Sequence, residues 1–371
     1  MLNKSEYGDL AANVVTKTSD YPVWVGWDII GQLGHRIKNI IDAEISVAHI
    51  IADINVSDQI ENVTESLESQ NIKTNLYSMH SGESNKTLKT VSHIYEWLAG
   101  LRAERNHLII AVGGGVTGDL AGFVASTYVR GMPFALIPTT LLSMMDASIG
   151  GKVGVDLPQG KNLVGSFYQP KFVLSDVKTL ETLPKRELTS GWAEAIKHGL
   201  IVDKDLFSLF EENRDYISVL DSSIATDIIR KSVAIKANIV SRDEKETLGL
   251  RILLNYGHTI AHAIESTTGY TKYLHGEAVS IGMMAAAYIS ENMELLSSTE
   301  VARQKQILEL YDLPVTAEDL NISDIQSAIK SDKKTSKGSI NWVLLNGIGQ
   351  AKTNNQVPTQ YIFDALTKII Q

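Results

Sequence analysis

Three short apolar runs constrain the fold of the first half of this chain more than any other feature. Ile45–Asp53 is rich in β-formers and ends in an acid, His107–Val112 is closed by Gly113, and Phe134–Ile137 is closed by Pro138. Continuous apolar runs of this length mark parallel strands covered on both faces. Helical patterns at Thr90–Leu101 and Asp119–Tyr128 complete the βαβ rhythm of a Rossmann-like α/β domain. After about Ser175 the strand signal mostly stops: Glu187–Ile201, Asp221–Val240, Thr259–Ser266, Glu277–Leu296 and Thr299–Tyr311 read as helices, and one short β-like piece returns at Ile340–Leu345. A chain of 371 residues exceeds the size of one ordinary core. The expected architecture is a Rossmann-like domain over 1–177 and an all-α domain over 178–371, with the site in the cleft between them.

Composition narrows the chemistry. The absence of cysteine excludes disulfide scaffolds, thiolate metal sites, iron–sulfur clusters and cysteine nucleophiles, so a metal would have to be held by His, Asp or Glu. A net charge of −9 argues against nucleic acid or an anionic membrane as partner. The first residues lack a charged-then-apolar leader pattern, and the apolar run Ala278–Ile289 is too short to span a bilayer. A cytoplasmic location is expected.

Gly113-Gly114-Gly115-Val116-Thr117-Gly118-Asp119 follows a strand and opens a helix, in the form G-x-G-x-x-G. Glycines there let backbone approach a pyrophosphate, and a helix N-terminus offers N–H groups to it. The pattern alone is weak, and a ligand-free tight turn is the competing reading. The customary acid about 20 residues downstream is missing, but Asp53 stands at an earlier strand end, where it could take a ribose. Between Asp146 and Asn162, glycines crowd against Lys152 and Lys161, which suits a phosphate or carboxylate; a solvated glycine-rich surface loop is the bland alternative.

Glu194 and Lys197 are three residues apart and share a helix face. His258 and His262 are four apart, and His275-Gly276-Glu277 follows. Two imidazoles on one face plus a carboxylate would make a catalytic zinc site with an open position. On spacing alone His262 is as good a ligand as His258, and helix histidines that merely hydrogen-bond are an equal alternative.

Read in order, Ser81-Gly-Glu-Ser-Asn-Lys86-Thr-Leu, Gly113–Asp119, Pro138-Thr-Thr-Leu, Asp146–Val155, Gly160-Lys-Asn, Phe167-Tyr-Gln-Pro170, Leu183-Pro-Lys-Arg-Glu-Leu, Ala193-Glu-Ala-Ile-Lys197, Asn255-Tyr-Gly-His-Thr and Leu274-His-Gly-Glu resemble the 3-dehydroquinate synthase family. The resemblance runs from about residue 80 to 280. It implies a Rossmann-like domain followed by a helical one, NAD, zinc or cobalt, and a homodimer. It implies a small phosphorylated sugar acid as substrate, 3-deoxy-D-arabino-heptulosonate 7-phosphate, converted to 3-dehydroquinate and phosphate. The implied route is transient oxidation by NAD, phosphate elimination, re-reduction and intramolecular aldol closure.

The same resemblance implies site residues. The metal would sit on Glu194, His258 and His275, with His262 in the substrate site instead. NAD would contact Asp53, Glu83, Lys86, Gly115, Val116, Thr117, Gly118, Asp119, Thr139, Thr140, Lys152, Lys161, Thr179, Leu180, Glu181 and Thr182. Substrate or catalytic positions would be Asp146, Lys152, Asn162, Lys197, Arg251, Asn255 and His262, with Arg130 reaching a partner subunit's phosphate site. The segment before Arg251 carries one residue more than the family pattern and has Thr247 where a glutamate is usual, so Glu246 is left outside the expected site. Asp332-Lys333-Lys334 resembles a substrate-binding lysine segment. Sister cyclases usually alter the Asp146–Lys152 segment, which is intact here; polyol dehydrogenases would give net redox, and a non-catalytic regulator would not need all of Lys152, Glu194, Lys197, His258 and His275.

Overall fold

The computed structural model of the chain describes residues 8–17, 19–41, 43–333 and 340–371, with backbone alone at 331–333. The side chains of Asp332-Lys333-Lys334 therefore lie outside the described residues. Two compact units are formed, Met1–Leu183 with Ala225–Lys245, and Pro184–Ile224 with Glu246–Gln371. The division falls at 183/184, not at 177/178, and a helical stretch from the second half returns to the first unit.

The first unit runs β1 (Leu10–Val15), β2 (Asp20–Gly26), α1 (Leu33–Ile40), β3 (Val47–Asp53), α2 (Ser57–Glu68), β4 (Lys73–Met79), α3 (Leu88–Gly100), β5 (Leu108–Gly113), α4 (Gly115–Thr127), β6 (Phe134–Pro138), β7 (Lys152–Leu157), β8 (Gly160–Phe167) and β9 (Val173–Asp176). Seven strands make one sheet in the order β1-β2-β9-β6-β5-β3-β4. Only the β1–β2 pair is antiparallel. The apolar runs are its centre: every residue of β5 and β6 is buried, and Ile50, Ile110, Val112, Ile137 and Leu174 share one core with Trp24 and Phe172. Each such side chain contributes about 1.5–3 kcal/mol by leaving water.

Strand direction is what places chemistry here. Because β3, β5 and β6 are parallel neighbours, Asp53, Gly113 and Pro138 end at the same edge of the sheet. At the end of β9, the buried Asp176 carboxylate accepts from the N–H groups of Asp28 (2.8 Å), Ile29 (2.7 Å), Ile30 (2.9 Å) and Lys178 (3.1 Å). That fixes the helical turn Val177–Thr182 against the sheet.

Near the amino end of β3, His49 is 1% exposed and its Nε2 lies 3.0 Å from His107 Nδ1. The Glu104 N–H also donates to that Nδ1, so His49 is the imidazole donor of the pair. Burial, and secondarily His107, push the His49 pKa down to about 4. Unfolding restores a value near 6.5, so the unfolded chain binds the extra proton between those values and stability is lost as pH falls through that window. About 1–2 kcal/mol of unfolding free energy is expected to disappear between pH 7 and pH 5. His49→Asn should flatten that part of the urea-denaturation profile. An unchanged slope in the variant would place the pH sensitivity elsewhere.

The Lys152–Asn162 stretch, read as a lysine-bearing anion-binding segment with a glycine-rich surface loop as the alternative, opens a hairpin in which β7 and β8 pair antiparallel. Glycine hid it. Gly154 and Gly165 face each other so closely that a Cβ on either would lie 2.6 or 2.3 Å from an opposing carbonyl oxygen. Strand-breaking composition is here the condition for tight pairing.

The second unit holds α5 (Lys185–Val202), α6 (Lys204–Glu212), α7 (Arg214–Ser218), the start of α8 (Ser222–Arg242), α9 (His258–Thr267), α10 (His275–Asn292), α11 (Ser298–Leu310), α12 (Ile322–Lys333), β10 (Trp342–Leu345), β11 (Ala351–Asn354) and α13 (Thr359–Ile369). The expected β-like piece at Ile340–Leu345 is β10, paired with β11. Helix α10 is the centre: Ala278, Val279, Ile281, Met283, Met284 and Ile289 are fully buried, among α5, α9, α11 and α13. The apolar run that is too short for a bilayer is thus a core helix, and no described helix is long and apolar enough to cross a membrane.

Candidate active site

In the first unit the glycine turn joins β5 to α4. A Cβ at Gly113 would lie 2.7 Å from Thr117 Oγ1 and 3.2 Å from Asp53 Cβ, and one at Gly114 would lie 3.1 Å from Thr140. The turn is therefore closed on its inner side, and the Thr139 N–H donates to Gly113 O at 3.0 Å. No side chain caps α4, so its first N–H groups lack intrahelical partners and suit an anion. Asp53, on the strand beside β5, accepts from the Asn55 N–H. A phosphate-facing helix start with a carboxylate on the adjacent strand end fits a dinucleotide.

Residues spread from 83 to 162 meet around one buried lysine. Lys86 Nζ donates to Asp119 Oδ2 at 2.5 Å and to Asn162 Oδ1 at 2.6 Å. The Asn162 N–H is held by Asp156 Oδ1, and Lys161 Nζ lies 3.3 Å from Glu83 Oε1. Burial pushes the Asp119 carboxyl up to about 6, against the pull of Lys86. Thr179 is buried, and Thr182 Oγ1 donates to Thr179 O while accepting from Gln59; Leu180 is buried and Glu181 exposed. Lys152 and Arg130 are exposed. Arg130 follows Val129, and both take left-handed backbone conformations.

The second unit gathers the other group. Glu194 is fully buried on α5, His258 opens α9 and His275 opens α10. One ligand atom from each lies within 4.8 Å of the others. His258 Nε2 and His275 Nε2 stand 3.7 and 3.6 Å from Glu194 Oε1, close to the about 3.4 Å between donors on one tetrahedral zinc. Both rings turn the same nitrogen inward. His258 Nδ1 faces Tyr256 O at 3.2 Å and His275 Nδ1 faces Glu265 Oε1 at 3.1 Å; those oxygens only accept, so Nδ1 carries the proton and Nε2 presents its lone pair. The Lys197 ammonium contacts Glu194, yet neither carboxylate oxygen has a hydrogen bond of good geometry. This donor set fits a divalent cation.

Electrostatics treat the three groups differently, and a cation would take the place of the second proton on His275. Burial alone would raise Glu194, but Lys197 and the two histidines hold it well below the usual carboxylate range. His258 is held well below its ordinary value by burial and by Lys197. Burial would also lower His275, but the nearby Glu194 carboxylate and the hydrogen bond to Glu265 outweigh this and lift it to about 10.

Two glycines set the convergence. A Cβ at Gly276 would lie 1.8 Å from Ser190 O on α5, and one at Gly282 would lie 2.1 Å from Gly257 O beside His258. Gly257 itself has φ +81, where L side chains are strained. Helix α10 thus meets both ligand-bearing neighbours backbone to backbone.

Residues 76–190 match the family model described as 3-dehydroquinate synthase N-terminal, and residues 191–335 match 3-dehydroquinate synthase C-terminal. The chain is 43% identical over 337 residues to a 3-dehydroquinate synthase of Thermoanaerobacter pseudethanolicus, covering 91% of this chain and 94% of the relative. It is 38% identical over 370 residues to that of Nitrosomonas europaea, covering 100% and 99%. The chain belongs to the 3-dehydroquinate synthase family. Among solved structures it is similar to a 2-epi-5-epi-valiolone synthase from Streptomyces hygroscopicus with NAD+ and Zn2+ bound, at a TM-score of 0.86 and 29% identity, covering 96% of this chain and 98% of that one. A 2-deoxy-scyllo-inosose synthase complexed with carbaglucose-6-phosphate, NAD+ and Co2+ gives 0.83 and 27%, covering 96% and 99%.

Spacing alone leaves parts of the candidate site of this 3-dehydroquinate synthase family member unread. His262 belongs to the spacing pair but not to the convergent triad, although its ring centroid is 5.4 Å from that of His258. Glu246, left aside because of the extra residue, has a left-handed backbone with φ 57° and places Oε1 3.3 Å from Arg251 Nε. Asn255 is exposed just ahead of His258. Lys236 was missed: this buried lysine of α8 reaches both the carboxylate and the carbonyl of Asp146. One lysine on a 21-residue helix carries no local signal of such a partner.

Proposed function

We propose that this chain is a 3-dehydroquinate synthase. It converts 3-deoxy-D-arabino-heptulosonate 7-phosphate to 3-dehydroquinate and phosphate, with NAD and zinc or cobalt. The observation that carries the reading is the Glu194, His258 and His275 convergence in a chain 38–44% identical to curated 3-dehydroquinate synthases over most of its length.

Glu194, His258 and His275 would hold the metal, which when bound supplies Lewis acidity toward substrate hydroxyls. Asp53, the α4 N-terminus, Glu83, Lys86, Asp119, Thr139, Thr140, Lys161 and the Thr179–Thr182 turn would hold NAD, which when bound supplies reversible hydride transfer and is returned unchanged. The chain's own polar groups would do the rest. Lys152, Arg130, Lys197 and Arg251 offset substrate phosphate and carboxylate charge. Asp146, held by Lys236, and Asn162, held by Lys86, are fixed before substrate arrives. His262 extends from the helix that His258 opens, and Asn255 from the turn ahead of it. Preset polar groups of this kind keep one substrate conformation through several steps. A homodimer and a cytoplasmic location belong to the same reading.

The test is phosphate release from 3-deoxy-D-arabino-heptulosonate 7-phosphate with NAD and zinc, before and after EDTA, while absorbance at 340 nm is recorded. Expected is phosphate release that EDTA stops and zinc restores, without accumulating NADH. Net NADH would make the chain a dehydrogenase. Turnover only of sedoheptulose 7-phosphate or glucose 6-phosphate would make it a sister cyclase.

A further inference from the structure

We infer that the buried pair Tyr256 and Gln304 is a positioning device for His258, acting through the Tyr256 carbonyl. The inference rests on the metal reading of Glu194, His258 and His275. Tyr256 and Gln304 are both 0% exposed. Tyr256 Oη donates to Gln304 Oε1 at 2.9 Å, and Gln304 Nε2 donates to Met283 O at 2.9 Å. The phenol is thus tied to α10 and α11 from the residue that precedes the Gly257 turn. The carbonyl of that residue takes the Nδ1 proton of His258 at 3.2 Å.

The tether is needed because of what lies on either side of it. Tyr256 ends the short turn Arg251–Asn255, and Gly257, in the left-handed region, starts α9. Between a short turn and a glycine, Tyr256 has no regular helix to hold its place. A shift of the residue would carry its carbonyl away from Nδ1 and release the His258 ring, whose Nε2 must hold its station 3.7 Å from Glu194. The phenol, tied to α10 and α11, fixes the residue and with it the carbonyl. Gln304 is distant in sequence, has its hydrogen bonds with Tyr256, Met283 and Met284, and lies in no motif that marks the site.

The test is Co2+ titration of the full chain, read by d–d absorption and chelator competition, with thermal unfolding alongside. Tyr256→Phe/Gln304→Met removes donor and acceptor together and takes from Met283 O, a carbonyl within α10, its two side-chain donors, so stability should fall only modestly. The expected result is a Kd for Co2+ raised about ten- to a hundredfold, with a shifted d–d envelope, in a folded protein. Tyr256→Phe alone is the second variant should the double one not fold. Affinity within twofold of the parent and an unchanged spectrum in a folded variant would overturn the inference while leaving the metal reading intact. If the parent takes up no Co2+, or Glu194→Gln binds it as well as the parent, the metal reading falls and the inference falls with it.

Discussion

Glu194→Ala is expected to remove divalent-metal binding and to lower phosphate release at least about a thousandfold, the scale of losing a central electrostatic element of a site. Glu194 is the oxygen donor of the triad, and the neighbouring Glu265 is committed to His275 Nδ1. The substitution also strands Lys197, which is 1% exposed and pairs with Glu194. A buried charge without its partner costs about 3–5 kcal/mol, so urea unfolding should shift to lower concentration. Glu194→Gln separates the two effects, because it keeps volume and an acceptor for Lys197 while weakening metal binding. Metal content by elemental analysis and kcat for phosphate release are the measurements. A Glu194→Ala protein that retains stoichiometric zinc and parental turnover would place the metal elsewhere.

Gly276→Ala is expected to be nearly as damaging although it touches no reacting group. The new methyl would sit 1.8 Å from Ser190 O and 2.6 Å from Ser190 C, which are backbone atoms of α5 and cannot turn aside. It would also disturb the Gly276 N–H bond to Ser190 Oγ at 3.0 Å. Overpacking of a rigid contact costs about 1–3 kcal/mol and more where backbone must move; here the upper end is expected. Any shift of α10 away from α5 carries His275 away from Glu194, so metal affinity should fall along with the unfolding midpoint. Gly100→Ala is the control, since a Cβ there meets nothing within 4 Å. A Gly276→Ala protein with parental midpoint and metal affinity would mean that α5 and α10 do not cross this closely.

The two substitutions show how differently parts of the site can be read. Glu194 announces itself by type and by its spacing from Lys197. Gly276 announces nothing, because a glycine inside a helix reads only as a weak point in propensity. Its meaning lies in a neighbour 86 positions earlier. The β7–β8 hairpin shows the same limit in reverse, for Gly154 and Gly165 look like loop until each is seen against the opposite backbone.

The sequence by itself determined the sheet-forming runs, the glycine turn at 113–115, the helical second half and the identity of the groups able to hold a metal. These depend on local backbone preference, on side-chain periodicity and on which functional groups are present, all of which are written along the chain. Spacing left His258 and His262 equal and the family resemblance chose His258; tertiary structure alone decided that Lys236 meets Asp146, that Glu246 meets Arg251, and that Gln304 stands behind Tyr256. Helical periodicity tells which face a residue occupies and is silent about what that face meets. Partners are chosen by where helices cross, and α10 crosses its neighbours where Gly276 and Gly282 remove the side chain that would hold them apart.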